Sequence, residues 1–342
     1  MHEYVISQVV QIFMQASADY RVFTLGCVSA GVVLVASAIY LSKKVAQRKR
    51  LGSLRSFKPT IAHVILYPIK GCRGVERYST VLTNNGIAHD REFAVVVVDE
   101  GNRCKSLSQV NYPKLALVEP SMPTEAGIHV SAPGMEALRV ETLHEGRQYT
   151  LDFWGDEIEV VDQGDKPSEW FSKFLDLKCR LVRVMPGMNR RKLGAAETKE
   201  SSLFFRTPIL VASLETMSAL TKSVGVPIHY SRFRPNVVVS GLPTAFEEDR
   251  ISSWSTKDFK LEGKRLCDRC TVPGVNPETG VLETHVVAKM RGLRNGGILR
   301  NFHPKYISKL KESEYYVAVY CEPEVNGGSS RICVGQELVV EF

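Results

Sequence analysis

The sequence predicts a mixed α/β, mostly β fold, closed as barrels or half-barrels and preceded by one transmembrane helix. Three observations predict it. Residues 22–42 form a single apolar run without a charge. Beyond Pro59 the chain is dominated by short β-branched runs that end in turn residues. Helical spacing is confined to a few stretches, and no internal repeat is visible.

The apolar run, VFTLGCVSAGVVLVASAIYLS, is 21 residues long. A spanning helix needs about 20 apolar residues to cross a hydrocarbon core of about 30 Å. A secretory signal would have a shorter apolar stretch and start earlier, although Ala36-Ser37-Ala38 leaves room for cleavage. A buried core helix would carry a polar face over such a length. The run is therefore read as a retained anchor. Seven basic residues and no acid follow it: Lys43, Lys44, Arg48, Lys49, Arg50, Arg55 and Lys58. The positive-inside rule then puts the C-terminal part on the cytosolic side. This flank suits the outer mitochondrial membrane or the endoplasmic reticulum, with attraction to lipid headgroups.

The same basic run equals the whole net charge of +7, so the rest of the 342-residue chain is balanced. A nucleic-acid face is not indicated. An apolar content of 44% and a charged content of 24% are those of a globular protein. The eight cysteines are scattered apart from one C-x-x-C, and they read as reduced thiols on a cytosol-facing domain.

The folded part starts near Pro59. Residues 61–69, 93–98, 149–153, 157–161 and 180–184 read as strands, and 121–136, rich in Pro, Gly and Ala, as loop. Residues 166–177 have helical spacing, with Trp170, Phe171, Phe174 and Leu175 on one face. The second half shows one clear helix. Ser213 is its N-cap, Gly225 its stop, and Leu214, Met217, Leu220 and Val224 its inner face. Residues 236–240, 258–261, 315–320 and 337–342 read as strands around a turn at Gly327-Gly328. There is no G-x-G-x-x-G opening a helix and no phosphate loop of the nucleotide-hydrolase kind.

Four local patterns could carry chemistry. Cys267-Asp268-Arg269-Cys270 could be half of a zinc site, a redox dithiol, a single metal ligand favoured by Arg269, or simple packing. No second C-x-x-C exists, and His285 and His303 stand alone. The following Thr271-Val272-Pro273-Gly274 is not the helix start that a thioredoxin-like dithiol requires. Arg234-Pro235-Asn236 could grip a phosphate or be a surface turn. Lys70-Gly71, after Tyr67-Pro68-Ile69, could hold an anion with an ammonium and backbone N–H groups, or be a plain strand exit. Asp90-Arg91 is a salt bridge or an anion contact. Trp154 and Trp170 read as core, and His63 and His89 as structural or solvated.

Taken in order, these four patterns resemble the MOSC superfamily, and within it the mitochondrial amidoxime-reducing components. The resemblance spans residues 60–342. Asn276-Pro277-Glu278-Thr279-Gly280, Val334-Gly335 and the anchor with its basic flank are similar too. It implies a MOSC N-terminal β-barrel-like domain over 59–180 and a MOSC domain over 181–342, after an N-terminal segment 1–21, the anchor 22–42 and a basic linker 43–58.

The resemblance further implies a molybdenum cofactor, with Cys270 as the protein's thiolate ligand and the residue at the catalytic centre. Lys70, Gly71, Arg91, Arg206, Thr207, Arg234, Asn236, Asp268 and Arg269 match cofactor contacts. A phosphate and anionic sulfurs need cations and backbone donors, and a thiolate is a soft ligand suited to a sulfur-held metal. The implied activity is reduction of amidoximes and hydroxylamines, with electrons from NADH through cytochrome b5 reductase and cytochrome b5. A cofactor carrier or sulfur-transfer protein is the rival within the family, and a zinc or structural C-x-x-C protein the rival outside it.

Three residues depart from the family pattern. Gly71 stands for a serine, Arg206 for a threonine and Asp268 for a serine. Arg206 and Asp268 are expected to compensate each other's charge.

Overall fold

The computed structural model describes residues 57–153, 155–184, 190–193, 197–200, 207–300 and 310–342. The expected anchor, its basic flank up to Ser56, Trp154, Arg206 and His303 lie outside them. Among the described residues no helix is long and apolar enough to cross a membrane.

Two sheets organise residues 58–342. Their strands are Thr60–Leu66 (β1), Ile69–Lys70 (β2), Val75–Arg77 (β3), Phe93–Val98 (β4), Arg103–Ser106 (β5), Gln148–Phe153 (β6), Asp156–Asp162 (β7), Arg180–Val184 (β8), Ile209–Ser213 (β9), Val237–Ser240 (β10), Ser253–Ser255 (β11), Phe259–Arg269 (β12), Tyr315–Val325 (β13) and Val339–Glu341 (β14). The main helices are Asp165–Leu175 (α1), Leu214–Val224 (α2) and Thr284–Arg294 (α3).

The first sheet closes on itself. β4, β5, β6, β7 and β8 pair in sequence, and β8 returns to β4 with Leu181 opposite Val95. A five-stranded barrel results, with no free edge along the ring. Alternation along β4 decides what fills it. Ala94 and Val96 face an interior that also holds Cys104, Leu151, Phe153, Ile158, Val160 and Val182. Phe93 and Val95 face outward onto Trp170, Phe171 and Leu175 of α1. This explains why β4 reads as an unbroken apolar run: both of its faces are buried.

The second sheet runs β14-β11-β12-β13-β9-β10-β1-β3. It curls until Ile61 donates to the carbonyl of Gln336 and Leu338 to that of Pro59, at 3.0 and 2.8 Å. Its inner face packs on α2 and α3 through Met217, Leu220, Val224, Val286, Met290 and Val317. The sheets do not follow the order of the chain. β1, the first described strand, pairs with β10 near the middle of the second half.

The expected strands recur with small shifts, and two expectations need correction. Residues 121–136 are not all loop: Gly127–Ser131 is a strand paired with Leu138–Glu141, and Ile128 and Val130 are buried. Flanking Pro and Gly obscure that short alternation. The second half also holds two long helices rather than one. In α3 the buried stripe is only Val286, Val287, Met290 and Arg294, and β-branched residues open it, so its apolar periodicity is faint.

α2 forms as the sequence implies. Ser213 Oγ accepts from the Thr216 N–H at 3.1 Å, and Gly225 ends the helix at φ 80°. The same Ser213 hydroxyl donates to buried Glu248 at 2.9 Å. Burial, then Asp249, raise the Glu248 carboxyl to about 7. Ser213→Ala therefore removes a cap and a partner of a buried acid together. It is expected to destabilise the protein by about 1–3 kcal/mol, read as a lower urea midpoint at unchanged slope.

Candidate functional site

The site is built where the link from β1 to β2 meets the turn before β10. Asp90 is its centre, with a fully buried side chain. Its carboxylate accepts from the Tyr67 N–H at 2.6 Å and from Asn236 Nδ2 at 3.0 Å, and it pairs with the Arg91 guanidinium. Asn236 spends its amide inside the fold. It donates also to the Ile65 carbonyl at 3.3 Å and accepts from the Leu210 N–H at 3.2 Å. It therefore joins β1, β9 and Asp90, and holds the Arg-Pro-Asn turn in place.

Three cations neighbour one another here, two of them beside that carboxylate. Arg91 and Arg234 both lie over the Tyr67 ring, at 4.7 and 4.2 Å from its centroid. Both have left-handed backbones, φ 57° each, a conformation costing roughly 1–2 kcal/mol outside glycine. Each turn is held open by its contacts. Arg91 N–H donates to the Tyr67 carbonyl at 2.8 Å, and the Arg91 guanidinium to the Arg234 carbonyl at 3.3 Å. Arg234 Nη1 donates to the Cys72 carbonyl at 2.5 Å. Its Nη2 is buried with no hydrogen-bond partner.

Lys70, the third cation, donates to the Leu107 carbonyl at 3.0 Å. Burial, then Arg234 and Arg91, lower its ammonium to about 8. Burial likewise pulls Arg234 down to about 10 and pushes the Cys72 thiol up to about 12. Three neighbouring cations, two of them beside one carboxylate, leave an excess of positive charge. That is the electrostatic signature of an anion site.

Gly71 takes φ 86°, and a Cβ there would come within 3.2 Å of Leu115 Cδ1. Its carbonyl accepts from Gln109 Nε2 at 2.6 Å. At this φ a serine would be strained.

β12 delivers the fourth pattern. Cys267 is fully buried in the core under α3, whereas Cys270, one residue beyond the strand, is exposed. Tyr315 on β13 holds the Cys270 carbonyl at 3.0 Å. Arg269 donates from Nη2 to the Phe233 carbonyl at 2.8 Å, which ties the Cys270 segment to the turn carrying Arg234. Its Nε, too, is buried without a partner. Asp268 pairs with Arg265, three residues back on the same strand. Its charge is thus met locally; Arg206, expected to compensate it, lies outside the described residues. Thr207 is buried just before β9.

The structure thus brings Lys70, Gly71, Arg91, Arg234 and Asn236 together and ties Arg269 and Cys270 to them. Sequence reasoning passed over Tyr67 as a functional residue. Its only signal was an aromatic beside Pro68, three residues from Lys70. Trp170 is core, as expected, with its indole N–H on the Glu136 carbonyl at 2.7 Å. His63 and His89 pair with Glu76 and Glu92. No disulfide joins any of the seven described cysteines. Among the described residues no three His, Cys, Asp or Glu side chains assemble as a metal site, so the zinc alternative finds no ligand set there.

Comparison with known proteins decides the family. The family described as MOSC N-terminal beta barrel domain matches residues 58–178, and the MOSC domain family matches residues 191–338. This chain is a MOSC-domain protein. Mitochondrial amidoxime reducing component 2 of Rattus norvegicus is 29% identical over 273 residues, covering 76% of this chain and 78% of that protein. Mitochondrial amidoxime-reducing component 1 of Mus musculus is 27% identical over 270 residues, covering 75% and 77%. Molybdenum cofactor sulfurase of Caenorhabditis briggsae is 28% identical over 269 residues, with this MOSC protein spanning 35% of its length.

Asp90 is the removable keystone of this MOSC site. Asp90→Asn leaves Arg91 buried without its counter-charge and turns a donor toward the donors it used to accept from. A loss of about 3–5 kcal/mol is expected by urea denaturation. A phosphate-containing buffer should restore part of it by neutralising the same cations, which a phosphate titration of the variant's melting temperature would read.

Proposed function

We propose that this protein is a membrane-anchored, molybdenum-cofactor-dependent reductase of N-hydroxylated compounds such as amidoximes and hydroxylamines. One observation carries the reading. Arg234 ends in a buried nitrogen without a partner, inside a three-cation cluster tied to a strand end that exposes Cys270. Together with the unpartnered Arg269 Nε, this donor set fits a group that is both anionic and sulfur-bearing. The names of the relatives support the same group.

In this reading Cys270 is the thiolate ligand. Lys70, Arg91 and Arg234 hold the cofactor's phosphate and pterin, with backbone donors at Gly71 and Thr207. Arg269 and Asp268 border the ligand. Asn236 acts through the turn it fixes. The bound cofactor supplies a two-electron centre that can take oxygen from nitrogen. Each turnover consumes two electrons and two protons and yields an amine or amidine and water.

In this reading electrons come from NADH through cytochrome b5 reductase and cytochrome b5, as the resemblance to the amidoxime-reducing components implies. The uncharged run 22–42 and the basic flank anchor it. Their form, and the mitochondrial names of the relatives, favour the outer mitochondrial membrane over the endoplasmic reticulum.

The deciding experiment is metal analysis of the purified full chain beside a benzamidoxime assay with the cytochrome b5 couple. Stoichiometric molybdenum with turnover, both abolished in Cys270→Ala, is the expected result. Molybdenum without turnover would favour the carrier. Zinc, or no metal with Cys270→Ala harmless, would sink the reading.

Lys70 gives a pH test. Its folded pKa of about 8 lies below the unfolded value of about 10.4. Below pH 8 the buried charge works against folding. Between those two values the unfolded chain binds the extra proton, so stability rises with pH. Anion binding runs the opposite way. Phosphate affinity of the metal-free chain, measured by calorimetry, should fall as pH rises through 8, and Lys70→Gln should flatten that step.

A further inference from the structure

Cys267 is the member of the C-x-x-C that the proposed reaction leaves idle. It is fully buried, yet its sulfur is not surrounded by apolar groups alone. Arg269 Nη1 donates to Cys267 Sγ at 2.8 Å, while Nη2 of the same guanidinium donates to the Phe233 carbonyl at 2.8 Å. The Tyr320 hydroxyl hydrogen-bonds to the same sulfur. Arg269 also lies over the Phe233 ring, 5.3 Å from its centroid. A guanidinium is a rigid planar fork, so fixing one nitrogen fixes the others. Phe233 directly precedes Arg234, whose left-handed backbone donates to the Ser231 carbonyl of its own turn and accepts from the Arg91 guanidinium.

We infer that Cys267 is a positioning residue, whose sulfur anchors Arg269 so that Arg269 clamps the Arg234 turn to the segment presenting Cys270. The inference rests on the proposed role of Cys270 as metal ligand. Cys267 never touches the metal. It sets the angle of the Arg269 fork, and through it the spacing between the thiolate and the phosphate-gripping cations. The unpartnered Nε is left aimed by the same fork. A serine could replace the sulfur as acceptor. An apolar residue of similar size could fill the space but could not hold the fork.

Hydrogen–deuterium exchange on the metal-free full chain separates a clamp from mere core filling. In Cys267→Val, amide exchange should quicken about tenfold or more in residues 266–272 and also in residues 230–236. In Cys267→Ser both segments should stay near wild type. Arg269→Lys, whose compact ammonium lacks the planar fork spanning the two acceptors, should match Cys267→Val and add nothing to it in the double variant. The loaded Cys267→Val chain should also lose molybdenum faster on dialysis than Cys267→Ser.

Wild-type exchange in Cys267→Val with a loosened Cys267→Ser would overturn the clamp and assign Cys267 to packing. So would faster exchange confined to residues 266–272. A wild-type chain that holds no molybdenum would defeat the proposed function alone, since the exchange comparison is made without metal.

Discussion

A single buried carboxylate governs this molecule. Asp90 draws a backbone amide, an asparagine and an arginine to one point, and those three groups come from β1's exit, from the turn before β10 and from its own neighbour. Removing a carboxylate from water is costly unless its oxygens are met, and here they are. In return, Asp90 allows Lys70, Arg91 and Arg234 to sit near one another in partly buried positions. Without it, like charges sharing one aromatic ring would drive the turn apart. The left-handed backbones of Arg91 and Arg234 follow from the same constraint. They are conformations that local sequence disfavours and that tertiary contacts impose.

The site divides its labour between two kinds of surface. Cations and a strained turn offer a hard, anion-seeking face. The end of β12 offers a soft thiol on a stiff strand. Arg269 spans the two, with one end on the Phe233 carbonyl and the other on Cys267. A tyrosine holds the Cys270 carbonyl, and an arginine is its neighbour in the chain. That arrangement fixes the backbone that presents the thiol.

Much of this was legible in the residues, for identifiable reasons. β4 and β8 could be read to the residue because both faces of β4 are buried and turn residues bound it. α2 was legible because its cap, its apolar stripe and its terminal glycine agree. α3 was not, since its buried stripe is thin and its remaining faces are polar. The barrel's closure lies in the pairing of β4 with β8, more than eighty positions apart in sequence, and no local period encodes such a partner. In the site, Lys70, Arg91 and Arg234 were legible only through their order along the chain. Tyr67 escaped because its role is to lie beneath guanidiniums, and nothing in an isolated Tyr-Pro marks that.

The placement of β1 has a consequence for how the protein comes to be made. β1 is among the first of the described residues to leave the ribosome, but its lateral partner is β10, and its opening residues are met by Gln336 and Leu338. The five-stranded barrel can complete itself from residues up to 184, by neighbouring pairings and one closure. The larger sheet must wait until synthesis is nearly finished. During that interval β1 has only the short β3 beside it, and its other edge is exposed to the hazards of any unpaired strand. The late completion of the larger sheet is thus built into the topology rather than into any one residue.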